Sequence, residues 1–574
     1  MKKERSRFGQ FWSKFSDTTR ELHQTDWIII GILVLIYGMI AFTNLGSTKN
    51  PQTFYEFQSS EDEVIFTVGE TAKSISKIRM YAGDINGNYN IYVSSDNQTY
   101  THVNTVEQGM SFSWNDFEID QDLRFIKLVS ETPNIFLGEI QLYDNYGSKV
   151  VATAVNESAK LLVDEPNMVP ATISYQNSAY FDEIYFARSA YEYVHGMNVM
   201  EWVHPPLGKL IQAIPIAIFG MAPFFYRLMG VLAGLLMIPV MYALGKTIFK
   251  DRRYGLLAAL LMMFDNFHFA QSRMGTVDTF LVLFIMLSAL FMFKYILLEK
   301  KDPIQKKFLY LGLSGLFIGC SIATKWTGLY AGLALAIAFF TDLFFKYKYK
   351  RRNSEEDKKN LLKIIGFCVL VFVVVPVLIY FLSYLLFPNV YPNRVDSISK
   401  VFDQMHGMYD YHSGLTEEHP FSSKWFTWPL MQRPVWYYVG YLGNSMRGTI
   451  SGIGNPAIWW FGIIASVFAL ISAIIKRDKE NGYIVLFILC SWLPYLLIGR
   501  VMFMYHFFPT LPFWILAIVS LMKFLTEKVK NNSIYVFYIA VVILFFTYFY
   551  PAVSGMPVSN NYLDTLLWFK SWYF

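Results

Sequence analysis

The chain has 574 residues, of which 54% are hydrophobic, 18% aromatic and 16% charged, with a formal net charge of +5. Repeated uninterrupted apolar runs of about 20 residues, the length at which a helix crosses a bilayer, exclude an ordinary soluble globular class. The small positive excess fits loops on one side of a membrane rather than nucleic-acid binding, and the three cysteines, Cys320, Cys368 and Cys490, all in apolar runs, supply neither a disulfide framework nor metal-ligand spacing.

Residues 1–26 are polar, and the first apolar run begins at Trp27. It closes on Phe42-Thr43-Asn44-Leu45-Gly46 with no convincing cleavage pattern, so it reads as a retained first span rather than a signal peptide. Residues 50–165 change character: they are polar and alternate with period two. Strands are predicted over 62–68, 75–81, 89–94, 123–129 and 135–143, separated by turn chemistry such as Gly83-Asp84-Ile85-Asn86-Gly87-Asn88. Five or more such strands can bury a shared face, and the pattern resembles a discoidin-like, galactose-binding-like jelly roll. That resemblance implies a glycan-binding module, while a structural spacer remains the plain alternative.

A helix is predicted over 180–195, too polar to span, with Asp182-Glu183 at its start. It is followed by His204-Pro205-Pro206-Leu207-Gly208-Lys209 and a short apolar segment, 207–219, that reads as interfacial or re-entrant. The remaining spans are predicted at 223–245, 254–271, 277–297, 308–324, 328–345, 364–387, 456–475, 482–499, 503–524 and 533–552, about eleven in all with the first. With the N-terminus inside, Lys2, Lys3, Arg5 and Arg7 fall on the cytoplasmic side, as do the cations of 246–253, 300–307, 346–359, 476–479 and 523–530. An error of one span would invert much of that pattern. The fold class expected is a polytopic α-helical membrane protein with an extracytoplasmic β-sandwich insertion. Its parts are a cytoplasmic N-terminus and first span (1–49), the sandwich (50–165), an outer juxtamembrane catalytic region (166–222), a transmembrane core (223–387), an extracytoplasmic loop (388–455), and C-terminal spans with an outer tail (456–574).

The chemistry rests on charged groups beside the spans. Asp182 at a helix start reads first as an N-cap. The functional reading is a general base that accepts the proton of an attacking hydroxyl. His204-Pro205-Pro206 is a rigid helix entry, and Lys209 either attracts a phosphate or sits in the headgroup layer. Arg227 lies at the outer edge of an apolar run, where an arginine is costly unless paired, and phosphate is an apt partner. The same argument applies to Arg273 near Asp278, to Lys325 between two spans, and to Arg500 near His506. His406, His412 and His419 are spaced irregularly and are set aside as loop histidines, so no metal site is assigned. A divalent cation held by carboxylates and a lipid phosphate stays open as an alternative. There is no glycine-rich nucleotide fingerprint and no evident place for a soluble sugar nucleotide.

These motifs, together with Tyr226-Arg227, Asp265-Asn266, Gln271-Ser272-Arg273, Thr324-Lys325-Trp326-Thr327-Gly328, His419-Pro420-Phe421-Ser422-Ser423-Lys424-Trp425, Trp428-Pro429-Leu430, Arg433-Pro434, Gly454-Asn455-Pro456 and the run from Arg500 to Phe513, extend from about 178 to 524. Taken together the chain resembles the protein O-mannosyltransferases, multi-span glycosyltransferases with a lipid-linked donor. The resemblance implies a polyprenyl-phosphate-linked hexose, usually mannose, as donor and Ser or Thr hydroxyls of an exported protein as acceptors. It implies Asp182 as the base, with Glu183 beside it in the catalytic pair, and Arg227 as the donor-phosphate contact. His204, Lys209, Arg500 and His506 would shape the donor site, and Arg273, Asp278, Lys325 and Asn455 are further candidates. The inserted sandwich, and an outer loop too short for a β-trefoil module, depart from the eukaryotic pattern and imply a bacterial type. The expected location is the bacterial plasma membrane, multi-pass, with the site facing outside among membrane lipid; the oligomeric state is left open. Two alternatives are a transferase acting on lipid or cell-wall glycan and a non-enzymatic transporter or lipid-glycan binding protein.

Overall fold

In a computed structural model, the structure describes residues 18–349 and 354–574. The basic residues Lys2, Lys3, Arg5 and Arg7, and the cations at 350–352, lie outside them. Among the described residues ten helices are long and apolar enough to cross a membrane. The chain divides into two compact units: 1–43, 200–211 and 230–574 form the first, and 44–199 with 212–229 form the second.

The second unit is built on two antiparallel sheets. Its strands are β1 (Tyr55–Phe57), β2 (Glu63–Thr67), β3 (Lys73–Ala82), β4 (Asn88–Ser94), β5 (Thr101–Glu107), β6 (Trp114–Leu123), β7 (Phe125–Ser130), β8 (Ile135–Tyr143), β9 (Lys149–Val150) and β10 (Thr153–Ala154). One sheet runs β1-β8-β3-β6 with β9 added to β8, the other β10-β2-β7-β4-β5. Alternate residues of both point into one core, including Ile78, Met80, Ile140 and Leu142 from the first sheet and Val64, Phe66, Ile126 and Leu128 from the second. The five predicted strands are all present. The unforeseen β5 and β6 are mostly exposed along their length, so they carry little of the apolar alternation that marks a strand.

The sandwich is continuous with the chain beyond it. Tyr81, Phe112 and Trp114 join a second core with Ala187, Ala190, Ile216 and Tyr226. Arg188 bridges Asp84 at 3.2 Å, on the turn after β3, and Glu192 at 2.9 Å, one helical turn ahead. Sheet and helix thus share one interior, and the helix Glu183–Val194 (α2; the first span, Gln24–Phe42, being α1) is fixed by the sandwich as well as by its own hydrogen bonds.

In the first unit, Asp26 of α1 is fully buried and takes Lys246 at 2.6 Å, Arg252 at 2.9 Å and the Tyr242 hydroxyl at 2.7 Å. Two of the cations assigned to the cytoplasmic loops are therefore also a buried ionic knot between α1, Pro223–Phe249 and Arg252–Met263. The predicted span 254–271 is not one helix. It breaks into Arg252–Met263 and Asn266–Ser272 because Asp265 caps the second piece, accepting the His268 amide at 2.9 Å, and also takes the Asn455 amide and the Trp459 indole. The segment 388–455 contains the helix Ile398–Gly414 and a hairpin of Val435–Tyr441 and Met446–Gly452, whose second strand also pairs with Val558–Ser559.

Candidate active site

Four groups singled out in the sequence line one cavity of about 570 Å³ in the first unit: His204, Lys325, Arg500 and His506. They arrive from four places in the chain. His204 comes from the loop ahead of Leu207–Phe219, Lys325 from the turn between Ile304–Thr324 and Gly328–Leu343, and Arg500 from the segment after Lys479–Leu497. His506 opens the span Met504–Val529. The helix Ile398–Gly414 supplies the remaining wall through Met408, Tyr409 and His412.

Lys325, His204 and Lys209 are each held by a carboxylate. Lys325 Nζ lies 2.9 Å from Asp278 Oδ1, with its side chain about nine-tenths buried. His204 Nδ1 donates to Glu201 Oε1 at 2.7 Å, and the other oxygen of the same carboxylate takes Lys209 Nζ at 2.6 Å. Burial alone would raise the Glu201 pKa, but Lys209 and His204 outweigh it and hold it at about 2. The His204 pKa is lowered by burial first and by Lys325 and Lys209, against the pull of Glu201. Gly208 explains the spacing of the motif. A Cβ there would lie 2.8 Å from Val277 Cγ1 and 2.9 Å from Thr324 Cγ2, so only glycine lets this segment pack against the helix ends that carry Asp278 and Lys325. His506 lies between rings, stacked on Trp428 at 5.9 Å and edge-on to Tyr495 at 5.4 Å.

Asp182, Glu183 and Arg227 belong to the second unit. Asp182 is partly buried and occupies the N-cap position of α2, with no side-chain bond to the helix amides. Phe181 before it adopts φ +50°, a left-handed conformation that costs a non-glycine residue about 1 kcal/mol or more and turns the chain sharply into the helix. Glu183 and Arg227 are both fully buried and paired to each other through two bonds of 2.7 Å. The other Arg227 donors reach the carbonyls of Leu45 and Tyr175 at 2.8 Å and of Ser178 at 3.2 Å. A guanidinium has five N–H groups, and these protein acceptors match them in number. In this arrangement Arg227 ties residues 175–183 together, and Glu183 is its counter-charge.

Arg273 and Asn455 are also held by protein groups. Arg273 donates to the carbonyls of Ala41, Thr43 and Ser554, tying two helix ends together. Asn455 caps Pro456–Ile475 and donates to Phe264 and Val542 carbonyls. The sequence reading missed Glu201 and His412. Glu201 carries a faint signal, a carboxylate three residues before the His-Pro-Pro step; His412 was set aside because nothing in its spacing marks Ile398–Gly414 as a helix that reaches a cavity. Among the described residues, no group of three or more His, Cys, Asp or Glu is placed to hold a metal ion.

Two family models match the chain. Residues 168–387 match "Dolichyl-phosphate-mannose-protein mannosyltransferase", and residues 397–572 match "C-terminal four TMM region of protein-O-mannosyltransferase". The chain belongs to the protein O-mannosyltransferase family. Within that family it is 25% identical, over 456 residues, to the polyprenol-phosphate-mannose–protein mannosyltransferase of Mycolicibacterium smegmatis, covering 68% of this chain and 87% of that one. It is 26% identical over 428 residues to the protein of the same name from Corynebacterium glutamicum, covering 64% and 81%. The S. cerevisiae protein O-mannosyltransferase Pmt1–Pmt2 complex bound to the sugar donor aligns with a TM-score of 0.60 at 14% identity, over 69% of this chain and 89% of that chain, a likeness of fold. Both family models begin after the sandwich, at residue 168 and beyond.

Proposed function

We propose that this protein O-mannosyltransferase transfers mannose from a polyprenyl-phosphate donor to Ser or Thr hydroxyls of an exported protein, at the outer face of a bacterial plasma membrane. The observation that carries the reading is the convergence of Lys325, Arg500 and His204 on one cavity among membrane-spanning helices, in a chain whose relatives are named for mannose transfer from a polyprenol phosphate. The acceptor oxygen attacks the anomeric carbon, the bond from that carbon to the phosphate oxygen breaks, and the hydroxyl proton passes to a carboxylate base, for which the family motif makes Asp182 the candidate. Lys325 and Arg500 stabilise the charge that grows on the departing phosphate, inside a site where such groups act more strongly than in water. Direct displacement inverts the anomeric centre and needs no protein nucleophile. Asp278 and Glu201 keep Lys325 and the His204–Lys209 pair in place, and the lipid tail lies among the spans.

The test uses purified protein in lipid nanodiscs, polyprenyl-phosphate mannose and a Ser/Thr peptide. Mannosylated peptide and polyprenyl phosphate are expected in equal amounts. Transfer to lipid or glycan with none to peptide would overturn the acceptor assignment, and donor binding without bond transfer would overturn the enzymatic one.

A further inference from the structure

His412 is fixed by two contacts that the transfer reaction as described leaves unused. Its Nε2 lies 2.8 Å from the Val203 carbonyl oxygen. A carbonyl only accepts, so Nε2 carries the proton, and Nδ1 of the neutral ring is an acceptor. Nδ1 receives Arg500 Nη1 in a short hydrogen bond. A protonated ring would set an N–H against a guanidinium N–H. Burial first, then His204 and Arg500, push the His412 pKa down to about 4, so the ring stays neutral across the physiological range. The charged groups around it are Arg500, His204 at 5.4 Å between ring centres, and Lys325 with its counter-charge Asp278. Val203 directly precedes His204, so the main chain that presents one imidazole also sets the tautomer of the other.

We propose that His412 is a positioning residue of the donor site: a neutral imidazole, anchored on the Val203 carbonyl, that holds the Arg500 guanidinium ready for the donor's phosphate. The inference rests on the reading that this cavity takes a polyprenyl phosphate. A long side chain loses rotamer freedom when a ligand fixes it, and a neighbour that fixes it beforehand removes that cost from binding. The effect therefore belongs in donor affinity more than in the chemical step.

The experiment compares wild type, H412A, H412Q, R500A and the double variant H412A/R500A in nanodiscs. It reads donor KM, kcat at saturating donor, equilibrium binding of polyprenyl phosphate, and thermal midpoint. H412A is expected to raise the donor KM and the polyprenyl-phosphate Kd about tenfold while kcat stays within about twofold. H412Q, whose amide can donate to Val203 and accept from Arg500, is expected to restore most of the loss. The double variant is expected to bind no worse than R500A, because both changes remove one interaction. A fall in kcat and thermal midpoint at unchanged KM, with no rescue by H412Q and full additivity with R500A, would reduce His412 to a packing residue and overturn the proposal. An R500A enzyme with wild-type donor KM would overturn the phosphate reading itself, and this inference with it. An impaired R500A beside an unimpaired H412A would overturn this inference alone.

Discussion

Replacing Arg227 by Met leaves the Glu183 carboxylate buried without its partner. Breaking a buried ion pair from one side costs about 3–5 kcal/mol, more than most single substitutions. R227M is therefore expected to lower the thermal midpoint strongly in detergent, while the fraction that folds keeps its donor KM; a raised KM at an unchanged midpoint would return Arg227 to the phosphate. For Asp182 the expectation is the reverse. D182N is expected to keep insertion, thermal midpoint and donor binding while transfer falls about 100- to 10,000-fold, the range of a lost general base. Equal transfer by the two proteins would remove Asp182 from that role. His412 adds a pH dependence. Its folded pKa lies below that of a free imidazole, so between pH 6.5 and about 4 the unfolded chain takes up a proton that the folded chain does not, and stability falls as pH falls through that window. A melting series over that range is expected to show the decline, and H412Q to make it shallower without abolishing it, because the His204 pKa is lowered too. The sequence states the need that each charged residue has, but not who answers it. An arginine in an apolar run must be paired; that its partner is a carboxylate 44 residues earlier is set by the fold and by no local spacing.

Among the elements, spans are legible because a helix that faces lipid must be apolar along its whole length. Their interruptions are less so. Asp265 looks like one polar residue inside a tolerable span, yet it ends one helix, starts another and gathers Asn455 and Trp459. The 31-residue span Glu355–Leu385 holds a π-helical turn at Leu370–Val374. There it comes so close to Ile304–Thr324 that a Cβ on Gly315 would overlap the Val371 carbonyl. G315A is expected to lower the thermal midpoint because backbone, unlike a flexible side chain, cannot move aside cheaply. A midpoint equal to wild type would show that the two helices separate without cost. The helix Ile398–Gly414 escaped the sequence reading because its apolar residues are divided between faces: Val401 and Met408 are buried while Ile398, Phe402 and Tyr409 are exposed, so no single apolar stripe stands out.

For the whole molecule, the sandwich and the segment that carries Asp182 fold as one unit, which turns a question about a spare module into one about integrity. Replacing residues 55–154 by a short linker is expected to abolish transfer and to expose α2 to protease in the membrane-inserted protein. Undiminished transfer after the deletion would make the sandwich dispensable. Orientation is open to a direct test as well. E157C, at an exposed position of the second unit, is expected to react with a membrane-impermeant thiol reagent added outside intact cells. Labelling only after the cells are opened would put this unit, and Asp182 with it, in the cytosol.

The seam formed by Tyr81, Trp114, Ala187 and Ala190 constrains how such a chain can change over generations. Two small alanines share this core with large rings, so the two sides are matched in volume: a different fold in place of the sheet would need rings of similar bulk, and a helix with bulkier residues would overpack the core. A lineage that lost the sheet would have to re-cover that alanine surface in the same event or lose the helix behind it. The sheet and the helix Glu183–Val194 are thus tied together in inheritance, and grafting that helix onto another scaffold would require carrying the sheet along.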